Sequence, residues 1–103
     1  MEFALIYAPE VVEHLRSISA RWHRLIRATV VHRLSHGPLK EDRNRKPLRR
    51  PTALDEAWEL RFGPQNRFRV FYRANESSGE VLILAVGEKR GDRLFIAGEE
   101  FAL

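Results

Sequence analysis

Three extended segments between Trp58 and Val86 constrain this chain more than any other feature. Trp58-Glu59-Leu60-Arg61-Phe62 alternates apolar and charged residues, the period of a strand buried on one side. Phe68-Arg69-Val70-Phe71-Tyr72-Arg73 nearly repeats the pattern. Val81-Leu82-Ile83-Leu84-Ala85-Val86 is apolar throughout, as a strand at the centre of a sheet is. The short connections predict an antiparallel meander. Such a meander brings Arg61, Arg69 and the segment Gly87-Glu88-Lys89-Arg90 to one end of the sheet. Clustered cations repel one another unless they share an anion.

The rest of the chain predicts what covers this sheet. Phe3 to Tyr7 reads as a first strand. Residues 9–18 read as a short amphipathic helix, with Pro9 in its first turn, Glu10 beside its positive end, and Val11, Leu15 and Ile18 on one stripe. Ser19 is placed to cap a second helix, whose stripe holds Trp22, Leu25, Ile26, Thr29, Val30, Arg33 and Leu34. His36-Gly37-Pro38 ends that helix. A basic loop carrying Pro47 and Pro51 follows, then the three strands, then a tail expected to be a short extended segment. The predicted order is β-α-α-β-β-β, an α+β fold with a helical hairpin on a small, mainly antiparallel sheet. At 103 residues the chain is read as one domain, 1–103.

Charge is concentrated. Residues 40–50 hold Lys40, Arg43, Arg45, Lys46, Arg49 and Arg50 against Glu41 and Asp42, and this surplus equals the formal net charge of the chain, +4. The loop reads either as a solvated surface or as an electrostatic footprint for phosphate. There is no cysteine, which excludes disulfides, thiolate metal sites and a cysteine nucleophile. Met1 to Tyr7 lacks a basic leader, and no run approaches the roughly 20 apolar residues of a membrane span. A cytoplasmic protein without membrane contact is the expectation.

Two strand registers keep the apolar residues of the first two strands on one face. One pairs Leu60 with Val70 and sets Arg61 directly opposite Arg69, a like-charge contact that is destabilising by ~0.2–1 kcal/mol. The other pairs Leu60 with Phe68 and sets Glu59 opposite Arg69 as a routine ion pair. The first suits a binding site and the second suits a plain surface. In either case Arg69 is expected to be exposed and Tyr72 to face the core.

Other residues have simpler readings. His14, His23, His32 and His36 read as surface histidines, and the i, i+4 pair His32 and His36 lacks a third metal ligand. No metal or cofactor is expected. Trp22 and Trp58 read as core residues, and Ser77-Ser78-Gly79 as a turn.

With the element order in hand, the chain resembles the RelE/ParE superfamily of toxins from type II toxin–antitoxin systems. The local matches are Arg67-Phe68-Arg69-Val70-Phe71-Tyr72-Arg73 and Val86-Gly87-Glu88-Lys89-Arg90, with Lys46-Pro47-Leu48 in the basic loop. The resemblance is to RelE-like members and implies a metal-independent endoribonuclease that cuts messenger RNA on the ribosome. In that chemistry the ribose 2′-hydroxyl attacks the adjacent phosphate to give a cyclic phosphate. It implies catalytic roles for Arg61, Arg69 and Lys89, with Arg90 as the rival of Lys89 and Glu59 as a candidate base, and RNA binding by Lys40, Arg43, Arg45, Lys46, Arg49, Arg50, Arg67 and Arg90. Guanidinium groups suit phosphate because the planar fork grips two oxygens. Two positions depart from RelE itself: Glu59 replaces a lysine, and Phe95 replaces a tyrosine and cannot donate a proton. The implied partners are a cognate antitoxin, the ribosome and messenger RNA. Two alternatives stay open, a ParE-like inhibitor of DNA gyrase and a catalytically inactive binding module.

Overall fold

A computed structural model describes residues 2–48 and 57–101. Among these residues the chain forms β1 (Ala4–Tyr7), α1 (Val11–Arg16), α2 (His23–Leu34), β2 (Arg45–Pro47), β3 (Trp58–Phe62), β4 (Phe68–Asn75), β5 (Glu80–Arg90), β6 (Arg93–Ile96) and β7 (Glu99–Phe101). The strands make one sheet in the order β2-β3-β4-β5-β6-β7, and β1 also pairs with β5. β5 divides one of its edges. Its first half takes β1 in parallel, Ala4 opposite Glu80, and its second half takes β6 antiparallel, Lys89 opposite Leu94. β5 also packs on both faces, with Val81, Ile83 and Val86 in one cluster and Ala85 in another, which explains its unbroken apolar run.

The α+β class and the strand meander agree with the sequence reading, and three details differ. The first helix is shorter than residues 9–18. The second is preceded by a single 3₁₀ turn over Ala20–Trp22, so Ser19 caps no α-helix and makes no side-chain cap bond. The join is made instead by His23, whose Nε2–H donates to Leu15 O at 2.7 Å and Ile18 O at 2.9 Å. The Leu15 carbonyl also accepts the Ile18 N–H at 3.0 Å, so the ring adds a second bond where α1 ends. Finally, the basic loop contributes an edge strand, β2, and the tail forms two strands, not one.

The main core lies between α2 and one sheet face. Ile26, Val30 and Leu34 meet Leu60, Phe68, Val70, Tyr72, Val81 and Ile83, all buried. Tyr72 faces this core as expected and donates its hydroxyl to Pro38 O at 2.6 Å. The second face is not open. β6 and β7 bring Leu94, Ile96 and Phe101 over Phe71 and Ala85, with Leu48 beside them. A bulge keeps both faces consistent. Phe71 pairs with Ala85 and Tyr72 with Ile83, so Leu84 is the extra residue.

Candidate nucleic-acid interface

The observed register is the one with the unfavourable pair. Leu60 lies opposite Val70 and Arg61 opposite Arg69. Arg69 lies in turn opposite Gly87 on β5. Gly63 makes the intervening loop possible. It sits at φ +84, and a Cβ there would lie 2.7 Å from the Phe68 ring. Strand alternation then sets Glu59, Arg61, Arg69 and Lys89 on the second face, and Glu88 and Arg90 on the first.

What relieves the repulsion is Glu59. Its carboxylate is 2 % exposed. Arg61 Nε donates to Oε1 at 2.7 Å, and Arg69 Nη1 approaches Oε2 at 3.5 Å. Arg69 itself is 8 % exposed, so the expectation of an exposed strand arginine is corrected. Alternation shows which face a side chain takes and not whether that face is covered. Burial pulls the Arg69 pKa below its ordinary value and Arg61 adds to the fall, while Glu59 opposes both. The group stays charged nonetheless. Enclosed and facing an arginine at each oxygen, Glu59 is the counter-charge of the pair in this structure.

A second carboxylate repeats the arrangement on the other face. Glu88 is 5 % exposed. Arg67 reaches its Oε2 through Nε at 2.7 Å and Nη2 at 2.6 Å, and Arg90 lies 3.6 Å from Oε1. The Arg67 guanidinium also stacks on Trp22, 5.1 Å from the ring centre, and Arg90 lies over Phe95 at 5.1 Å. Trp22 is thus half core and half platform for a site cation. Lys89 differs from its neighbours. Its backbone N–H is held by Arg67 O at 2.7 Å, and among the described residues its ammonium has no carboxylate partner. The sheet end therefore gathers Arg61, Arg67, Arg69, Lys89 and Arg90 around Glu59 and Glu88, and positive charge remains in excess.

The basic loop divides. Lys40, Arg43 and Lys46 are exposed, and Lys46 lies opposite Glu59 on β2, beside the cation cluster. Arg45 is 7 % exposed and is corrected from an RNA ligand to a structural staple. It donates to Lys40 O at 2.9 Å, Arg33 O at 2.7 Å and Asp42 Oδ2 at 3.0 Å, which leaves no face for phosphate. Arg49 and Arg50 lie outside the described residues. Asn44 ties the loop to the site. Its carbonyl accepts from the Arg61 N–H at 2.8 Å, and its amide donates to Arg61 O at 3.1 Å and Asn66 Oδ1 at 3.3 Å. Asn44, Glu88 and Trp22 were missed as site residues because their roles depend on contacts distant in sequence.

His14 and His23 are half-buried with structural bonds, contrary to the surface reading. His14 Nδ1 accepts the Val86 N–H at 3.2 Å, and burial lowers its pKa while Glu10 opposes. Among the described residues no group of three or more His, Asp or Glu side chains is placed to hold a metal. No helix among them is long and apolar enough to cross a membrane.

No protein-family model matches the chain, nor does any curated protein. Solved structures do. The toxin–antitoxin complex RelBE2 from Mycobacterium tuberculosis contains a chain with 25% identity, a TM-score of 0.71, and coverage of 86% of this chain and 93% of that one. The archaeal RelE–RelB complex from Pyrococcus horikoshii matches at 22% identity and a TM-score of 0.64, over 88% of this chain and 98% of that one. The Escherichia coli toxin RelE, as a double arginine-to-alanine mutant in the free state, matches at 15% identity and 0.63, over 85% and 84%. The fold is RelE-like.

Proposed function

We propose, from the premise of a RelE-like fold, that this chain is the toxin of a type II toxin–antitoxin system and acts as a metal-independent, ribosome-dependent messenger endoribonuclease in the cytoplasm. The observation that carries the reading is the set of cations at one sheet end, held from behind by two enclosed carboxylates. Such an arrangement is preorganised for an anion, because the guanidinium groups are oriented before the ligand arrives. Arg61 and Lys89 are the cations best placed to touch a phosphate. Arg69 supplies buried positive charge beside them, and Arg67 and Arg90 line the same end. The exposed Lys40, Arg43 and Lys46 extend the surface towards ribosomal RNA.

In the proposed step the 2′-hydroxyl gives up its proton to water as its oxygen bonds to phosphorus, the bond from phosphorus to the 5′-oxygen breaks, and that oxygen takes a proton from water. The products are a 2′,3′-cyclic phosphate and a 5′-hydroxyl end. The cations stabilise the charge that gathers on the phosphorane oxygens. A cognate antitoxin, whose acidic groups could cover this surface, is the implied regulator, as the neighbours are toxin–antitoxin complexes.

Two observations favour a second reading. Glu59 is enclosed and Phe95 has no proton to give, so a protein that only binds, either a ParE-like gyrase inhibitor or an inactive module, needs nothing this site lacks. Mapping RNA 5′ ends after induced expression separates the readings. The nuclease reading expects new ends within codons, lost in Arg61→Ala and weakened in Lys89→Ala. Intact messages with a DNA-damage response point to gyrase. Intact messages with no growth effect point to the inactive module.

A further inference from the structure

At the same end of the sheet lies a groove of about 390 Å³. Pro64, Gln65 and Arg67 of the β3–β4 loop form one wall, and Lys89, Arg90 and Gly91 form the other. Arg67 and Arg90 are turned to Glu88 and to aromatic rings. Two polar groups in the groove remain uncommitted among the described residues: the Lys89 ammonium and the Gln65 amide. Gln65 is exposed, and its backbone is fixed at φ 55, ψ 33, with Asn66 also at φ 55. The left-handed conformation is unfavourable for glutamine and better tolerated by asparagine. Here the loop is tied down on both sides, by Asn44 to Asn66 Oδ1 and by Arg69 Nε to Asn66 O at 3.5 Å.

Placement relative to the arginines is set by register. Lys89 lies two residues beyond Gly87, the partner of Arg69. A strand rises ~3.3 Å per residue, so the offset along the sheet is about 7 Å. Successive phosphates of an extended nucleic-acid strand are separated by a similar distance. We propose that the groove is a second nucleotide subsite, in which Lys89 takes the phosphate next to the one at Arg61 and Gln65 pairs with the base of that nucleotide, favouring adenine. An amide presents a donor and an acceptor side by side, which adenine's amino group and ring nitrogen match. An ammonium suits a phosphate because it is a point charge that demands no fixed orientation. Unstacked bases of single-stranded RNA can be splayed into such a groove. The subsite rests on the ribonuclease reading and extends it to base preference.

The test uses the intact protein on ribosomes programmed with messengers that differ only in the codon of the A site, with single-turnover cleavage rates as the readout. The wild type is expected to cut about tenfold faster when adenine replaces uracil at one position beside the cut. Gln65→Gly keeps the loop, because glycine adopts this φ freely, and should erase that tenfold ratio. Gln65→Asn retracts the amide in a residue that tolerates the same backbone, and should reduce it. Lys89→Met should slow all codons alike and leave the ratio intact. A wild type without adenine preference at any position, or a Gln65→Gly variant that keeps the full ratio, overturns the subsite and leaves the ribonuclease reading standing. A wild type that cuts no message overturns both.

Discussion

Glu59→Gln isolates the charge that allows Arg61 and Arg69 to face each other. The substitution keeps size and an acceptor oxygen and removes the negative charge. Arg61 can adapt, since 35 % of its side chain is exposed and it can turn to water. Arg69 cannot, since 10 % of its side chain is exposed and its other bond is a long one to Asn66 O. Leaving one member of a buried pair uncompensated costs about 3–5 kcal/mol, and the freedom of Arg61 sets the expectation at the low end, ~3 kcal/mol. Each kcal/mol lowers Tm by roughly 4–8 °C in a small domain, so a fall of about 12–24 °C is expected by calorimetry. In urea the midpoint should drop by roughly 1–3 M with the slope unchanged. The double variant Glu59→Gln/Arg69→Met removes both charges and should recover most of the loss. A single variant with a midpoint within about 0.3 M of wild type, on a typical urea slope, would refute the view that Arg69 depends on Glu59. For the same reason Arg69→Ala is a poor activity probe, because it disturbs a buried pair as well as the site.

Further outcomes can be measured in the same way. Arg45→Lys should destabilise the protein by about 2 kcal/mol in urea titration, because an ammonium cannot span the carbonyls of Arg33 and Lys40 together with Asp42. Gly87→Ala should cost about 1–3 kcal/mol, because the added carbon would meet Leu94 at 2.9 Å and Ile96 and Phe95 O at 3.1 Å. His14 titrates below its ordinary value of 6.5 in the folded chain. The unfolded chain therefore takes up the proton first as pH falls, so this group's contribution to stability is full above that value and is lost as pH drops through the folded pKa. Urea midpoints between pH 8 and 5 should show this loss in wild type, and His14→Asn should flatten it.

Much of the site was legible from period alone. Alternation set Glu59, Arg61 and Arg69 on one face and Tyr72 on the other, and the apolar residues restricted β3 and β4 to two registers. Local sequence could not choose between those registers, since each buries the same side chains. The choice lies in the loop, where Gly63 packs against Phe68 and Asn66 anchors to Asn44 and Arg69. Nor could it show that Glu59 and Arg69 are buried. Burial depends on tertiary neighbours, as where β6 and β7 bring Leu94, Ile96 and Phe101 to Phe71 and Ala85 on the second face. Arg45 is the plainest case, one more cation in a basic loop until the end of α2 and Lys40 offer their carbonyls. Side-chain period is a local property of the backbone, so the sequence by itself determined which face each residue takes. Burial and partnership are set by what the rest of the chain lays over that face, and only the tertiary structure decided them.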